Sequence, residues 1–172
     1  MTNDEIIEQL NDLIKLDHDA SKTYEAALER VDEKDQEVRI DLQTFMQDHL
    51  RHVTDLSVVI TSLGGTPIEP GRDIKGVLLE GLTKLRSVTG TMGALKAMRM
   101  NEKLTNRSYE QAARKDLPPI AADLVEANLQ DERRHLASIE QHIASRGAGT
   151  GAEAEVVEEE ETVVAVEPEA RV

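Results

Sequence analysis

The sequence predicts an all-α protein built as a bundle of four long helices. Aromatic residues are nearly absent, with one Phe, two Tyr and no Trp among 172 residues. Leu, Ile, Val and Ala alternate with Glu, Lys, Gln and Arg at helical spacing, which indicates amphipathic helices rather than strands. Glycine and proline pairs divide these periodic stretches at a few points, and we place the helix ends there.

The first helix is predicted from about Asn3 to about Val31. Thr2 and Glu5 have the spacing of a capping box, in which each side chain bonds the backbone N–H of the other residue. Apolar residues recur along one face of this stretch and are interrupted by Asp17. An acidic residue inside an apolar face needs a compensating partner.

The second helix carries an inward stripe and is predicted to stop at Gly64-Gly65, because glycine accepts the backbone conformation that ends helices. A long connection follows, roughly residues 64–91, and a shorter helix is predicted within it from Ile74 to Val88. Such a crossover joins two antiparallel hairpins in one class of four-helix bundle. The two halves should then lie face to face.

The third long helix is predicted from about Met92 to Lys115 and the fourth from Pro118-Pro119 to Gly147. Proline is accepted in the first turn of a helix but not in its interior, so the proline pair separates the two. Residues 1–146 should form one domain, which is an ordinary size for a chain with a single core.

From residue 147 to 172 the composition changes to eight Glu and one Arg. High charge and low hydrophobicity prevent a packed core, so we expect an acidic disordered tail. The apolar letters TVVAV within it suggest a second reading, in which the tail contacts a protein partner or a protein shell. The solubilising tail is the simpler explanation.

The charge of the chain limits its partners. A net charge of -14 argues against binding a nucleic-acid backbone or an anionic membrane surface and favours cations. No cysteine occurs, which excludes thiolate metal sites and disulfides. The start lacks the pattern of a signal peptide, and no stretch approaches the roughly 18 apolar residues of a membrane span. We expect a soluble cytoplasmic protein.

The two halves of the sequence repeat each other. YEAAL at 24–28 corresponds to YEQAA at 109–113, and DHLRH at 48–52 corresponds to DERRH at 131–135, at offsets of 85 and 83 residues. The same alignment places Asp17 opposite Glu102, each seven residues before a tyrosine. The second motif has Glu132 where the first has His49.

Helical periodicity places six ionisable residues in the interior: Asp17, His49, His52, Glu102, Glu132 and His135. Burying unpaired charges costs several kcal/mol each. A bound cation is the simplest counter-charge. Mixed carboxylate oxygen and imidazole nitrogen suits iron or manganese, and also zinc, so we predict a metal site with these six ligands.

This pattern resembles the ferritin-like diiron-carboxylate proteins, which include rubrerythrins and bacterioferritins. Their bundles carry one Glu on each of two helices and Glu-x-x-His on each of the other two, and DERRH matches the second-half motif. Within the resemblance, which spans about residues 3–146, the letters LGGTP at 63–67 look most similar to small bacterial ferritin-like proteins of unassigned function.

The resemblance implies specific roles. Glu102 would be a terminal ligand, Glu132 a bridge between two ions, and His135 the imidazole beside Glu102. In the first half, Asp17 stands where such proteins have Glu, and His49 stands where they have the second bridging Glu. A neutral imidazole normally gives one nitrogen to one metal, so one or two ions remain alternatives.

Four further residues near the motifs receive expected roles. Asp48 and Asp131 are expected to accept hydrogen bonds that orient the histidines across the bundle. Tyr24 and Tyr109 are expected to line the pocket, and we assign them to packing rather than to redox chemistry. His142 lies at the margin of the fourth helix stripe with no partner that the sequence identifies.

The resemblance implies iron binding, with Fe(II) oxidation by oxygen or peroxide, or iron buffering, in defence against oxidative stress. A non-enzymatic bundle acting in stress response or assembly is the main alternative, motivated by His49. A helical interaction module, whose inward polar groups bond one another and whose tail binds a basic partner, is the third. Whether the protein is an enzyme therefore stays open, as does self-association, which is frequent among ferritin-like bundles.

Overall fold

Four α-helices make up nearly all of the described chain, which covers residues 1–69, 85 and 88–149 of this computed structural model. In chain order they are α1 (Asn3–Leu28), α2 (Gln36–Ser62), α3 (Gly90–Ala113) and α4 (Pro119–Gly149). Within these ranges there is no strand. The predicted all-α four-helix class is confirmed.

Each helix packs against two neighbours. α1 packs mainly on α2 and α3 mainly on α4, while α1 also contacts α3 and α2 contacts α4. The Asn3 side chain donates a hydrogen bond to the carbonyl of Leu63 over 2.9 Å, which ties the start of α1 to the end of α2. The four helices therefore enclose one common interior.

The start of α1 has the capping box that the sequence predicts. The Glu5 backbone N–H donates to the Thr2 hydroxyl over 3.3 Å, and the Thr2 backbone N–H donates to the Glu5 carboxylate over 2.7 Å. Two N–H groups that have no acceptor within the helix are thereby satisfied.

Two apolar clusters occupy the two ends of the interior. The first lies where α1 begins and α2 ends, and includes Ile6, Leu10, Leu13, Ile14, Leu56, Ile60, Tyr109, Val125 and Leu129. The second lies towards the other end and includes Tyr24, Val38, Leu42, Phe45, Leu95, Met98 and Ile139. Burial of such aliphatic side chains stabilises a fold by roughly 1.5–3 kcal/mol each. The charged positions lie between the clusters, in the middle of the bundle.

Four helix ends differ by a few residues from the sequence prediction. α1 ends at Leu28 rather than near Val31, because the Arg30 backbone N–H bonds the carbonyl of Ala27 over 2.9 Å and closes a turn. α3 begins at Gly90 and ends at Ala113, and α4 continues through Gly149. Helix ends depend on single capping bonds, so periodicity locates them only approximately.

The predicted short helix from Ile74 to Val88 lies outside the described residues except for Leu85 and Val88, and Leu85 is buried in the second apolar cluster. The acidic tail lies outside the described residues from residue 150 onwards. In the described part of the chain, no helix combines the length and apolar character needed to cross a membrane.

Gly64 should be sensitive to substitution because of its backbone conformation. It follows α2 with φ 79°, a left-handed value, and a Cβ there would meet no atom within 4 Å. We expect Gly64→Ala to lower the free energy of unfolding by roughly 1–2 kcal/mol through backbone strain alone. Urea unfolding followed by circular dichroism measures the change.

Gly147 provides the matched control. It lies inside α4, does not have positive φ, and also leaves room for a Cβ. Gly147→Ala should raise the free energy of unfolding by about 0.5 kcal/mol, because alanine is the better helix former. Effects of the same sign for both substitutions would contradict this account of the end of α2.

Candidate metal centre

Six ionisable side chains meet in the middle of the bundle, and all are fully buried. They are Asp17 of α1, His49 and His52 of α2, Glu102 of α3, and Glu132 and His135 of α4. Every residue that the sequence analysis places in the predicted site is therefore brought together. Their role as metal ligands stays a prediction.

The six form two overlapping groups of four. The Asp17 group contains Asp17, His49, His52 and Glu132, and the Glu102 group contains His49, Glu102, Glu132 and His135. Within each group, one atom from every residue lies within 4.8 Å of the others. His49 and Glu132, which occupy corresponding positions in the repeated motifs, belong to both groups.

The His49 ring lies between the two groups. Its Nδ1 atom is 2.9 Å from Oδ1 of Asp17 and 3.4 Å from Oε1 of Glu132. Its Nε2 atom is 3.5 Å from Oε1 of Glu102. The two nitrogens of one imidazole therefore face different carboxylates.

Asp48 and Asp131 orient the other two histidines, as the sequence predicts. Nε2 of His52 lies 3.2 Å from Oδ2 of Asp131, and Nε2 of His135 lies 3.0 Å from Oδ2 of Asp48. Each bond crosses between α2 and α4. With Nε2 engaged in this way, the Nδ1 atom of each ring faces the interior.

Two arginines complete an Asp–Arg belt, formed by Asp48, Arg51, Asp131 and Arg134. Arg51 donates to Asp48 over 2.9 Å and to Asp131 over 2.6 Å, while Arg134 donates to Asp131 over 2.5 Å and to Asp48 over 2.7 Å. The bond from His135, together with Arg51, holds the pKa of Asp48 well below its usual range. Burial opposes ionisation of Asp131, but Arg51 and His52 outweigh it and lower its pKa, so both aspartates are ionised acceptors for the histidines.

Both tyrosines pack in the apolar clusters and line the site, as predicted, and their hydroxyl groups also make hydrogen bonds that the sequence did not predict. The Tyr24 hydroxyl donates to Oε1 of Glu102 and the Tyr109 hydroxyl donates to Oδ2 of Asp17, each over 2.6 Å. Burial raises the pKa of both tyrosines well above its ordinary value, so the hydroxyls keep their protons. Tyr24 of the first half therefore orients Glu102 of the second half, and Tyr109 of the second half orients Asp17 of the first half.

Six buried atoms of the cluster lack any hydrogen-bond partner in this part of the chain. They are Nε2 of His49, Nδ1 of His52, Oε2 of Glu102, both carboxylate oxygens of Glu132, and Nδ1 of His135. Buried polar atoms are nearly always hydrogen-bonded, because leaving one without a partner costs about 1–3 kcal/mol. These nitrogen and oxygen atoms fit a divalent metal ion as their missing partner.

The three carboxylates respond differently to burial. For Asp17 and Glu102, burial opposes ionisation, but the neighbouring histidines outweigh it and lower both pKa values. For Glu132, burial dominates and raises the pKa. Without a metal, Glu132 is therefore the least compensated acid of the cluster.

His142 has a partner that the sequence pattern did not identify. Nε2 of His142 lies 2.8 Å from Oδ2 of Asp41, which also accepts a hydrogen bond from Ser138 over 2.9 Å. Asp41 lies seven residues before Asp48, and His142 lies seven after His135. On antiparallel helices, a residue seven positions earlier on one helix faces a residue seven positions later on the other. The Asp48–His135 pair therefore predicts the Asp41–His142 pair from the sequence.

A comparison with family models identifies the chain. A model described as a domain of unknown function, DUF2383, matches residues 5–115, which is more than half of the 172 residues. The chain belongs to the DUF2383 family. The matched region of this DUF2383 protein extends from α1 through α3 and contains Asp17, His49, His52 and Glu102, but ends before the DERRH motif of α4.

Solved structures with similar folds are ferritin-like. A dodecameric thioferritin from Bacteroides fragilis, described as bacterioferritin-related, has a TM-score of 0.71 at 14% identity over 87% of this chain and 90% of its own. A Dps1 mutant from Mycobacterium smegmatis has a TM-score of 0.69 at 14% identity over 82% of this chain and 96% of its own.

A ferritin-like, diiron-carboxylate protein from Bacillus anthracis has a TM-score of 0.54 at 20% identity, over 86% of this chain and 98% of its own. No curated protein matches the DUF2383 chain by sequence. At these identities the likenesses show the fold alone, and the predicted ferritin-like fold is confirmed.

The metal-free DUF2383 protein should lose stability as the pH rises above neutrality. Burial alone would lower the pKa of His52, but Asp17 and Glu132 raise it from an ordinary 6.5 to about 9. The stabilisation that protonated His52 provides is fully present below pH 6.5, where His52 is protonated in both the folded and the unfolded chain. It is lost between pH 6.5 and 9, which lowers the free energy of unfolding by up to roughly 3 kcal/mol.

Urea unfolding of chelator-treated protein across this pH interval measures the loss. His52→Gln removes the titrating group, so its unfolding free energy should fall less over the same interval. Equal pH dependence in the two proteins would show that His52 is not held protonated by its neighbours.

Proposed function

We propose that this DUF2383 protein binds divalent metal, iron in the first place, among its six buried ligands. One observation carries the proposal: six buried atoms of these residues have no hydrogen-bond partner among the residues that the structure describes. The outward-facing nitrogens of His52 and His135 bond carboxylates, and their inward nitrogens do not. Metal-ligating histidines are held in this way in general.

The donor set and the fold both support iron. Carboxylate and imidazole ligands suit iron, manganese and zinc, whereas softer metals favour the thiolates that this chain lacks. One similar structure is described as a diiron-carboxylate protein and another as a thioferritin. Iron is therefore the ion that we assign first, with manganese or zinc as alternatives, in one or two copies.

The function that best fits this site is oxidation of Fe(II) by oxygen or peroxide, or storage of iron in a buffered form, as part of oxidative-stress defence. Bound Fe(II) supplies the electron that the oxidant accepts. The protein supplies a dry interior, two tyrosine hydroxyls that orient Glu102 and Asp17, and a belt that orients His52 and His135. These hydrogen bonds hold the ligands in defined orientations, which is favourable for binding.

We further propose that the chain self-associates. A dodecameric relative shares the fold, and the exposed side of α2 presents Ile40 and Val58, which are 60% and 64% exposed. Contact between copies would remove these apolar side chains from water, which favours association.

Metal binding should depend on Glu132. Protein purified without chelator should contain iron or another divalent metal, and Glu132→Gln should lose most of it. Under anaerobic conditions, Fe(II) at a hundredfold excess over its dissociation constant should stabilise the wild type by roughly 3 kcal/mol and leave Glu132→Gln unchanged. Elemental analysis and melting curves measure the two effects.

The control for this substitution is Glu126→Gln on the same helix, since Glu126 is exposed and 3.9 Å from Arg133. It should behave as the wild type in both measurements. Identical melting curves of the wild type with and without Fe(II), together with no metal in the purified protein, would reject the proposed function.

A second candidate function is a ferritin-like bundle that holds metal without oxidising it, in stress response or assembly. His49 favours this candidate, because an imidazole occupies the position at which the resemblance expects a second bridging carboxylate. The site then has three carboxylates in place of four, so two divalent ions are less completely neutralised. Paired-iron chemistry would be weakened accordingly.

Oxidation kinetics separate the two candidates. Fe(II) is added anaerobically, oxygen is then introduced, and Fe(III) absorbance is followed in the wild type, Glu132→Gln and Glu126→Gln. A ferroxidase should show a stoichiometric burst in the wild type and Glu126→Gln that Glu132→Gln lacks. Equal rates in all three proteins, with metal still bound by the wild type, would select the non-enzymatic bundle.

A further inference from the structure

Resting on the proposed metal binding, we infer that the ion is held by the Glu102 group, through Glu102, Glu132, His135 and the Nε2 atom of His49. Asp17 then acts as a positioning residue that orients His49 and does not bind the metal. The two halves of the bundle therefore contribute differently to metal binding, although their sequences repeat. The site takes one divalent cation tightly.

The pattern of unpartnered atoms distinguishes the two groups. In the Glu102 group, every residue offers a buried atom without a hydrogen-bond partner: Nε2 of His49, Oε2 of Glu102, both oxygens of Glu132 and Nδ1 of His135. The four residues come from three helices, and their ligand atoms can lie within 4.8 Å of one another. This group is complete without rearrangement.

Asp17 has no such atom to offer. Its Oδ1 lies 2.9 Å from Nδ1 of His49, and its Oδ2 accepts the Tyr109 hydroxyl over 2.6 Å. Binding a metal through either oxygen would compete with a hydrogen bond already formed. An aspartate is also one methylene shorter than the glutamate that the resemblance places here.

With Asp17 as a positioning residue, all three histidines are held in the same way. Each has one ring nitrogen at hydrogen-bond distance from an aspartate: His52 with Asp131, His135 with Asp48, and His49 with Asp17, over 3.2, 3.0 and 2.9 Å. Each has its other nitrogen buried without a partner. A histidine that binds metal through one nitrogen commonly donates the N–H of the other to a carboxylate.

The tautomer of His49 makes the groups compete. A neutral imidazole has one N–H and one lone pair, so a proton on Nδ1 that bonds Asp17 leaves Nε2 for the Glu102 group. An ion in the Asp17 group would require the opposite tautomer and would break that bond. An ion in one group therefore weakens binding in the other.

Charge favours one tightly bound ion over two. Each group contains two carboxylates, which neutralise one divalent cation, whereas the positive charge of two cations would exceed the negative charge of the three carboxylates of the cluster. An allosteric coupling between sites is commonly worth roughly 5- to 150-fold in affinity. A second ion should bind more weakly than the first by a factor in that range.

Cobalt(II) titration of the chelator-treated full-length chain tests the assignment, because Co(II) is stable to oxygen and its absorption spectrum reports the coordination. Asp17→Asn and Glu102→Gln form a matched pair, since each replaces an acid by its isosteric amide and each acid accepts one tyrosine hydroxyl. Calorimetry and absorption together give stoichiometry, affinity and spectrum.

The wild type should bind one Co(II) tightly. Asp17→Asn should keep that stoichiometry and the shape of the spectrum, with affinity lowered by roughly 10- to 100-fold, since the ligands are unchanged and only the orientation of His49 is weakened. Glu102→Gln should lose the tight ion and its spectrum. If Asp17 had only a structural role, an Asp17→Asn protein with the melting temperature of the wild type would bind Co(II) as tightly as the wild type. That result would contradict a positioning role for Asp17.

Two ions of similar affinity in the wild type, with one lost in each variant, would overturn the inference and leave the proposed function intact. Loss of the tight ion in Asp17→Asn as complete as in Glu102→Gln would make Asp17 a ligand and also overturn it. No Co(II), Fe(II), Mn(II) or Zn(II) binding by the wild type would reject the proposed function itself.

A second matched pair applies if either acid variant fails to fold. His52→Gln and His135→Gln remove histidines with equivalent belt contacts, one from each group. His52→Gln should bind one Co(II) with the wild-type spectrum, and His135→Gln should lose the tight ion. The reverse result would place the ion in the Asp17 group.

Discussion

Uncompensated charge in an apolar interior is the constraint on which this structure depends. Two clusters of aliphatic side chains stabilise the ends of the bundle, and between them lie three carboxylates and three imidazoles with no exposure to solvent. An unpartnered buried charge costs several kcal/mol, more than one aliphatic side chain contributes by its burial. The hydrogen bonds from the tyrosines and to the belt aspartates reduce this cost. They do not include Glu132, neither of whose oxygens accepts a hydrogen bond from the described residues.

The internal repeat explains why the interior is so nearly symmetric. Tyr24 bonds Glu102 and Tyr109 bonds Asp17, so each half of the chain supplies the hydroxyl for the acid of the other half. The belt repeats this pattern. Asp48 of the first half bonds His135 of the second half, and Asp131 of the second half bonds His52 of the first half. The symmetry fails where His49 replaces the counterpart of Glu132. An imidazole directs its two nitrogens differently, whereas a carboxylate offers two equivalent oxygens. This change, together with the shorter Asp17 opposite Glu102, makes the halves chemically unequal.

The sequence predicted the composition of the site well because one simple signal carries it. A charged residue within an otherwise apolar helical stripe, repeated at matching positions in both halves, must face the interior, and all six such residues do. The hydrogen bonds inside the site were harder to predict. Whether Asp17 bonds His49 or remains available to a metal depends on side-chain rotamers and on the separation of α1 and α2, neither of which periodicity specifies. The tyrosine hydroxyls were missed for the same reason, since an aromatic residue on an inward stripe is adequately explained by packing. The end of α1 was misplaced because it depends on a single turn bond.

The Asp–Arg belt has a consequence for exchange with solvent. Asp48 and Asp131 have side chains only about one-sixth exposed, at 16% and 15%, while the two arginines are close to half exposed. Behind each aspartate is a buried histidine, so at this seam one layer of side chains separates the interior from water. Ion pairs with an exposed member are screened by salt, unlike contacts in the deep interior. Ionic strength therefore acts on the outermost support of the histidines. For the proposed metal, we expect it to change the rates of entry and release and to leave the proposed ligands unchanged.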